Sequence, residues 1–213
     1  MRSFFLRSVA IALAVAAPGI LATSGAMAAV AATAPADKGK AAGVFIDDLA
    51  DRAYAVLRDK SNDKAAVKAK FRTLLKQNFA VGDIGNRLIR RHVRTISRAQ
   101  YQAYQAAFPD YVVDTYTDNL FEFADSNLKI VRTVPRGTRG AVDVYTRVVR
   151  NDGAQPIDSI WTVKPGPSGA YVVDNLTVAG VNLSLTQEAD FNAYIQKNGF
   201  DALVAFMKNR KSA

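Results

Sequence analysis

The chain has 213 residues, of which 49% are hydrophobic, a formal net charge of +9 and no cysteine. The absence of cysteine excludes disulfides and thiolate metal sites. The positive charge favours anionic partners such as nucleic acid or acidic lipid headgroups, but the cations are spread along the sequence, as on an ordinary solvated surface.

The N-terminal residues have the pattern of a signal peptide. Arg2 and Arg7 precede an apolar stretch that opens at Val9, and Ala26-Met27-Ala28 supplies the small residues that a signal peptidase recognises. The apolar stretch is shorter than the roughly 20 residues of a spanning helix. We therefore predict cleavage after Ala28 (residues 1–28) and export to the periplasm, which argues against nucleic acid as the partner.

The next part of the chain is predicted to be helical, after a flexible, alanine-rich leader at residues 29–43. A main domain of residues 44–210 then begins with a helix from Val44 to Arg58, in which apolar residues recur at helical spacing. A second helix is expected to be capped by Ser61 or Asn62, and a short basic helix to run from about Ile84 to His92.

A long aromatic helix follows. Ser97 and Gln100 fit a capping box at its start, and apolar residues continue at three- and four-residue spacing as far as Phe123. Pro109 lies inside this pattern and removes one helical hydrogen bond. Because the period is unchanged across the proline, the pattern predicts one bent helix.

The period then changes to that of strands. Four alternating segments are separated by short turn sequences and predict a four-stranded antiparallel meander: Leu128–Val134, Ala141–Val149, Ile157–Val163 and Ala170–Val178. Two helices are predicted to follow, the first capped by Ser184 or Thr186 and stopped at Gly199, the second from Asp201 to Asn209. Helices segregated from an antiparallel sheet make the predicted fold α+β.

Catalytic residues are scarce. His92 is the single histidine, and the sequence has neither a Gly-x-Ser-x-Gly elbow nor a Gly-rich phosphate-binding loop. The sequence therefore indicates no zinc site, no catalytic triad and no cofactor. Asp143 and Asp158 alternate out of phase with the apolar residues of their strands, which predicts that both face solvent. Asp174 shares the predicted face of Val172 and stays a candidate acid or base.

Two C-terminal segments, Tyr171–Leu183 and Phe191–Leu203, resemble the MlaC-type (toluene tolerance) family of periplasmic phospholipid-binding proteins, and the resemblance extends over about 44–210. Tyr171 stands where the family usually has tryptophan, and Asn182 where it has serine. Near Arg90-Arg91-His92-Val93 the family usually has Leu-Gly-x-x-Trp, and both the glycine and the tryptophan are missing here. The related HpnM branch of hopanoid pathways shares this framework.

The resemblance implies an NTF2-like sheet packed against helices around an apolar cavity that takes acyl chains and leaves the headgroup outside. It implies a lipid carrier without enzymatic activity. Its partners would be a phospholipid, an inner-membrane lipid ABC transporter complex and an outer-membrane lipoprotein–porin complex. A hopanoid-handling protein and a small NTF2-like enzyme using Asp174 remain alternatives.

On this reading the long helix and the inward-facing strand residues line the cavity, although composition alone does not distinguish a cavity wall from a filled core. Arg147 and Arg150 are candidates for the cavity mouth. The predicted lining is Tyr104, Phe108, Val112, Tyr116, Val144, Val148, Trp161 and Val163.

Overall fold

The computed structural model describes residues 35–209, apart from the side chains of residues 35, 36, 118 and 119. The predicted signal peptide and the first part of the predicted leader lie outside this range. The helices are α1 (Pro35–Arg58), α2 (Lys64–Asn78), α3 (Val81–Leu88), α4 (Arg98–Leu120), α5 (Leu183–Asn198) and α6 (Phe200–Asn209), with a 3₁₀ turn at Phe121–Phe123. The strands are β1 (Ser126–Arg136), β2 (Ala141–Arg150), β3 (Ile157–Pro165), β4 (Tyr171–Val178) and β5 (Val181–Asn182).

The predicted α+β class and antiparallel meander are confirmed, but the sheet has five strands rather than four. Its order is β1-β2-β3-β4-β5. The sequence analysis had no strand at Val181–Asn182. Ala179 and Gly180 both have positive φ, 48° and 80°, and this tight turn folds the chain back so that Val181 pairs with Val178.

The first helix begins nine residues earlier than predicted. Residues 35–43 were expected to be flexible, but they form the first turns of α1, and Ala42 is fully buried. Their small side chains serve close packing, since a Cβ at Gly39 would lie 2.6 Å from Thr133 Oγ1 of β1. Alanine and glycine here mark a helix lying close to a sheet rather than a linker.

The long aromatic helix is one continuous element, α4, with Pro109 inside it. The capping box is confirmed: the Ser97 hydroxyl accepts from the Gln100 backbone N–H, and the Gln100 side chain accepts from the Ser97 N–H. Two other helices are capped by residues that were not predicted. Asp63 caps α2, and Asn182 caps α5.

Two apolar cores form within residues 35–209. The helical cluster comprises Leu88, Ile89, Tyr104, Ala107, Phe108, Tyr111, Phe191, Ile195, Phe200, Leu203, Val204 and Met207. The sheet cluster comprises Ala42, Ile46, Leu49, Val142, Val144, Val163 and Val173. Helix α4 packs mainly against α6 and α2, whereas α1 packs on β1 and β2. No helix in the described range is long and apolar enough to span a bilayer.

The packing of α1 can be tested at two adjacent alanines. We expect Ala42→Asp to lower the free energy of unfolding by more than about 2 kcal/mol, because it places an unpaired carboxylate between α1 and the sheet. Ala41→Asp, at an exposed position of the same turn, is the matched control and should be nearly neutral. Urea unfolding measures both, and equal effects would contradict the packed helix.

Candidate functional site

The sheet has one face covered by helices, here called the inner face. Strand alternation places Val142, Val144, Thr146, Val148 and Arg150 of β2 on this face. Their cross-strand partners in β3 are Val163, Trp161, Ser159 and Ile157, and Leu176 and Val178 of β4 continue the same rows.

The two ends of the inner face differ in how deeply they are buried. Val142, Val144 and Val163 are fully buried beneath Ala42, Ile46 and Leu49 of α1. Toward the other end, five large apolar side chains, here called the half-buried patch, are only partly covered: Val148, Ile157, Trp161, Leu176 and Val178. Apolar side chains on a covered face that remain half-buried can contact a further apolar group.

A small polar network holds Trp161 on this face. Its indole Nε1–H donates to Thr146 Oγ1 at 3.1 Å, and the Thr146 and Ser159 hydroxyls are hydrogen-bonded to each other at 3.1 Å. Thr146 is 1% exposed and Ser159 6% exposed. The network therefore satisfies buried hydroxyls and positions the indole ring beside Val144 and Leu176, its cross-strand neighbours.

The four predicted lining residues of α4 lie in different surroundings, and their role in lining a cavity stays a prediction. Tyr104 and Phe108 are fully buried in the helical cluster, where their rings stack 5.7 Å apart and the Tyr104 hydroxyl donates to Gly85 O at 2.9 Å. Burial raises the pKa of Tyr104 far above its usual value. Val112 is half-buried beside that cluster, and Tyr116 is half-buried and part of neither core.

The four predicted lining residues of the sheet all lie on the inner face, as the alternation predicts. Val144 and Val163 belong to the fully buried sheet cluster, whereas Val148 and Trp161 belong to the half-buried patch. Their role in lining a lipid cavity stays a prediction. Ile157, Leu176 and Val178 were missed, although the alternation of β3 already implied Ile157.

The two candidate mouth arginines lie on opposite faces. Arg147 is on the outer face and forms a bidentate ion pair with Asp158, its cross-strand partner, at 2.6 and 2.9 Å. Arg150 is the last inner-face residue of β2 and lies opposite Ser126. Its Nε–H donates to Asp152 Oδ2 at 3.0 Å. The inner face of β2 thus changes from valine at one end to arginine at the other.

Asp174 does not sit where simple alternation predicted. A register shift pairs Val163 with Val173 and Thr162 with Asn175, so Asp174 is an extra, bulged residue and Val172 and Leu176 fall on opposite faces. Arg87 Nη1 contacts Asp174 Oδ2 at 2.9 Å, and Lys164 Nζ contacts Asp174 Oδ1 at 2.8 Å. Burial raises the pKa of Asp174, but the hydrogen bonds and charges of these two cations outweigh it, and the pKa lies below its usual value.

The other polar candidates have structural partners. Asp143 pairs with Thr162 in the ladder, on the outer face, and accepts from the Thr162 hydroxyl at 2.7 Å. His92 Nε2 is hydrogen-bonded to Asn192 Oδ1 at 2.8 Å. In the described part of the chain, no group of three or more histidine, aspartate or glutamate side chains is arranged to hold a metal ion.

A separate surface groove lies between α5 and α6 and borders the helical cluster, not the sheet. Its lining residues are Tyr194, Ala202, Ala205, Phe206 and Asn209. The groove shares no residue with the half-buried patch, so the two are distinct surfaces.

Comparison with known proteins identifies one family and a related structure. The family model described as MlaC protein matches residues 47–209. The chain is also similar to a phospholipid-binding protein from Ralstonia solanacearum solved in complex with a phospholipid, with a TM-score of 0.67 and 21% sequence identity. The match covers 79% of this chain and 96% of that one, and it shows that the two share a fold.

The Trp161 network can be tested by a double-mutant cycle. Thr146→Val keeps the volume but leaves the indole N–H and the Ser159 hydroxyl without their partner, so we expect a loss of about 1–2 kcal/mol in unfolding free energy. Ser159→Ala should lower the unfolding free energy less in the Thr146→Val protein than in the wild type, because it removes a hydroxyl that has already lost its partner. Urea unfolding of the four proteins measures the coupling, and additive effects would contradict the network.

The ion pairs of Asp174 predict how stability depends on pH. Because its folded pKa lies below the usual 3.8, the carboxylate contributes stability above that value, and the contribution is lost as pH falls through the folded pKa. Asp174→Asn should therefore be less stable at neutral pH and should lose less further stability in acid. Urea unfolding at several pH values checks this, with Asp143→Asn on the outer face as the comparison.

Proposed function

Because the chain belongs to the MlaC family, we propose that it binds a phospholipid and carries it as a soluble periplasmic protein between the inner and outer membranes. The half-buried patch is the observation on which this proposal rests. It supplies five apolar side chains on a covered sheet face, while the aromatic residues Tyr104 and Phe108 of α4 are engaged in a separate core. The protein of similar fold from Ralstonia solanacearum was solved with a phospholipid, which supports the same ligand class here.

Moving a phospholipid through water without a carrier has a large free-energy cost. Two acyl chains contain about 30 CH₂ groups, and exposing each to water costs about 0.8 kcal/mol, so an unaccompanied phospholipid meets a barrier on the order of 20 kcal/mol. A protein that offers apolar surface removes most of this cost without recognising any particular chain. Burying the charged headgroup would cost far more in lost hydration free energy, so the headgroup should stay in water.

The inner face has a polarity gradient that suits an amphiphile. Along β2 the inward residues run from Val142 and Val144, through Thr146 and Val148, to Arg150. Acyl chains would contact Val148 and Trp161 of the half-buried patch, beside the fully buried valines, and the headgroup would lie toward Arg150. Arg147, on the outer face, is not part of this arrangement.

Binding rather than catalysis is the better interpretation of the polar residues. A general acid or base works best with a pKa near the ambient pH, and Asp174 is held well away from it by Arg87 and Lys164. We therefore propose that the chain is a carrier and not an enzyme. Periplasmic export is supported by the N-terminal sequence, and the transporter and lipoprotein–porin partners are those that the family implies.

The identity of the lipid is a separate question from lipid binding. A hopanoid would satisfy the same apolar surface, and the departures from the family pattern at Arg90–Val93 and Asn182 leave that alternative open. Solvent extraction of protein purified from its own periplasm, followed by mass spectrometry, distinguishes a diacyl phospholipid from a polycyclic lipid.

Neighbouring valines on opposite faces of β2 provide the direct test. Val148→Glu places a carboxylate in the half-buried patch and should reduce lipid adducts in native mass spectra at least tenfold. Val149→Glu, one residue on and facing outward, is the matched control and should keep them.

Circular dichroism on both variants checks that the fold is retained. Wild-type protein that carries no lipid, or a Val148→Glu protein that carries as much as the Val149→Glu control, would refute the proposed site.

A further inference from the structure

The connection between α3 and α4 presents a concentrated positive charge. The sequence suggests scattered cations, but the turns between Leu88 and Ser97 bring four exposed arginines to one short segment and the start of α4. This group, here called the basic loop, is formed by Arg90, Arg91, Arg94 and Arg98.

Few carboxylates neutralise it. Glu188 of α5 pairs with Arg90 at 2.8 Å and lies 3.7 Å from Arg91. Within residues 35–209, Arg94 and Arg98 form no ion pair. Four guanidinium groups against one carboxylate leave an excess of three positive charges on the loop.

The loop is held in a defined conformation. Leu88 and Ile89, at its start, are 2% and 0% exposed and belong to the helical cluster. The backbone N–H groups of His92 and Val93 both donate to Ile89 O, at 2.7 and 3.2 Å. His92 is also bound to Asn192 of α5. The backbone that carries the positive charges is therefore ordered and has little conformational entropy left to lose on binding.

An apolar side chain is exposed among these charges. Val93 is 43% exposed and lies between Arg91 and Arg94 in the sequence. A basic surface with an apolar residue at its centre suits the headgroup region of an anionic bilayer, where cations meet phosphates and the apolar group reaches the acyl boundary.

We propose that the basic loop docks the protein onto membrane surfaces that carry anionic lipid headgroups. A membrane fits better than an acidic protein because this exposed segment of about ten residues falls short of the 20–30 residues per side of a standard protein interface. A bilayer surface requires only charge and shallow insertion. This inference goes beyond lipid carriage and can fail while lipid binding holds.

The test compares two double charge reversals on the full chain. Arg94→Glu/Arg98→Glu alters the basic loop, and the glutamate at position 98 lies in the first turn of α4, where the helix dipole favours a negative charge, so folding should be retained. Lys129→Glu/Arg139→Glu is the matched control, since both residues are exposed and neither forms an ion pair within the described range.

Sedimentation with sucrose-loaded vesicles measures the binding. We expect the wild type to bind vesicles of phosphatidylglycerol and phosphatidylcholine, to bind pure phosphatidylcholine vesicles weakly, and to be released by salt. Each cation near such a surface is worth about 1 kcal/mol, so the loop reversal should weaken binding about thirtyfold or more, and the control less than threefold. Val93→Asp should also weaken it.

The proposal would be overturned if the wild type did not bind anionic vesicles, which would leave an acidic protein surface as the partner. It would also be overturned if the wild type bound neutral vesicles equally well, or if the two charge reversals weakened vesicle binding equally. Native mass spectrometry of the same preparations reports lipid loading. A loop variant that stays loaded but does not bind vesicles separates docking from the proposed lipid binding.

Discussion

The structure depends on how one face of an antiparallel sheet is covered. A twisted sheet with an apolar face must bury it, and here α1 does so over Val142, Val144 and Val163 by lying close enough that glycine and alanine are required at the contact. The other long helix, α4, turns Tyr104 toward α5 and α6, and its Phe108 lies against Gly85 of α3. The sheet is consequently covered completely at one end and partly at the other.

This arrangement separates the packed helical cluster from the surface proposed to bind lipid. The helical cluster fills its own interior with aromatic rings in contact, including Tyr104 with Phe191 and Phe200 at 6.4 and 5.9 Å. It can support the fold without contributing to a ligand surface. The half-buried patch is apolar and lies on a covered face, with the Trp161–Thr146–Ser159 network beside it and Arg150 at the end of the same face.

Most charged residues named above form ion pairs, and one group of arginines carries unpaired charge. Asp174 forms ion pairs with Arg87 and Lys164, and Asp158 with Arg147, so these carboxylates link separate elements or neighbouring strands. The basic loop is the exception, because Glu188 contacts two of its four arginines, Arg90 and Arg91, and the other two form no ion pair within residues 35–209. A lipid-handling protein that must approach a bilayer would use such an excess, and its ordered backbone reduces the entropic cost of docking.

The sequence by itself determined the fold class, the single long helix through Pro109, the capping box at Ser97 and the inward-facing residues of β2 and β3. These features follow from local periodicity and hydrogen bonding. It did not reveal that residues 35–43 are helical, since their small side chains have meaning only against Thr133. It also missed the bulge at Asp174 and the strand at Val181–Asn182, which pairing with neighbouring strands creates. The tertiary structure alone decided that Tyr104 and Phe108 fill a core while Val148 and Trp161 remain half-buried, because helical spacing specifies a side chain's face but not which element packs against it.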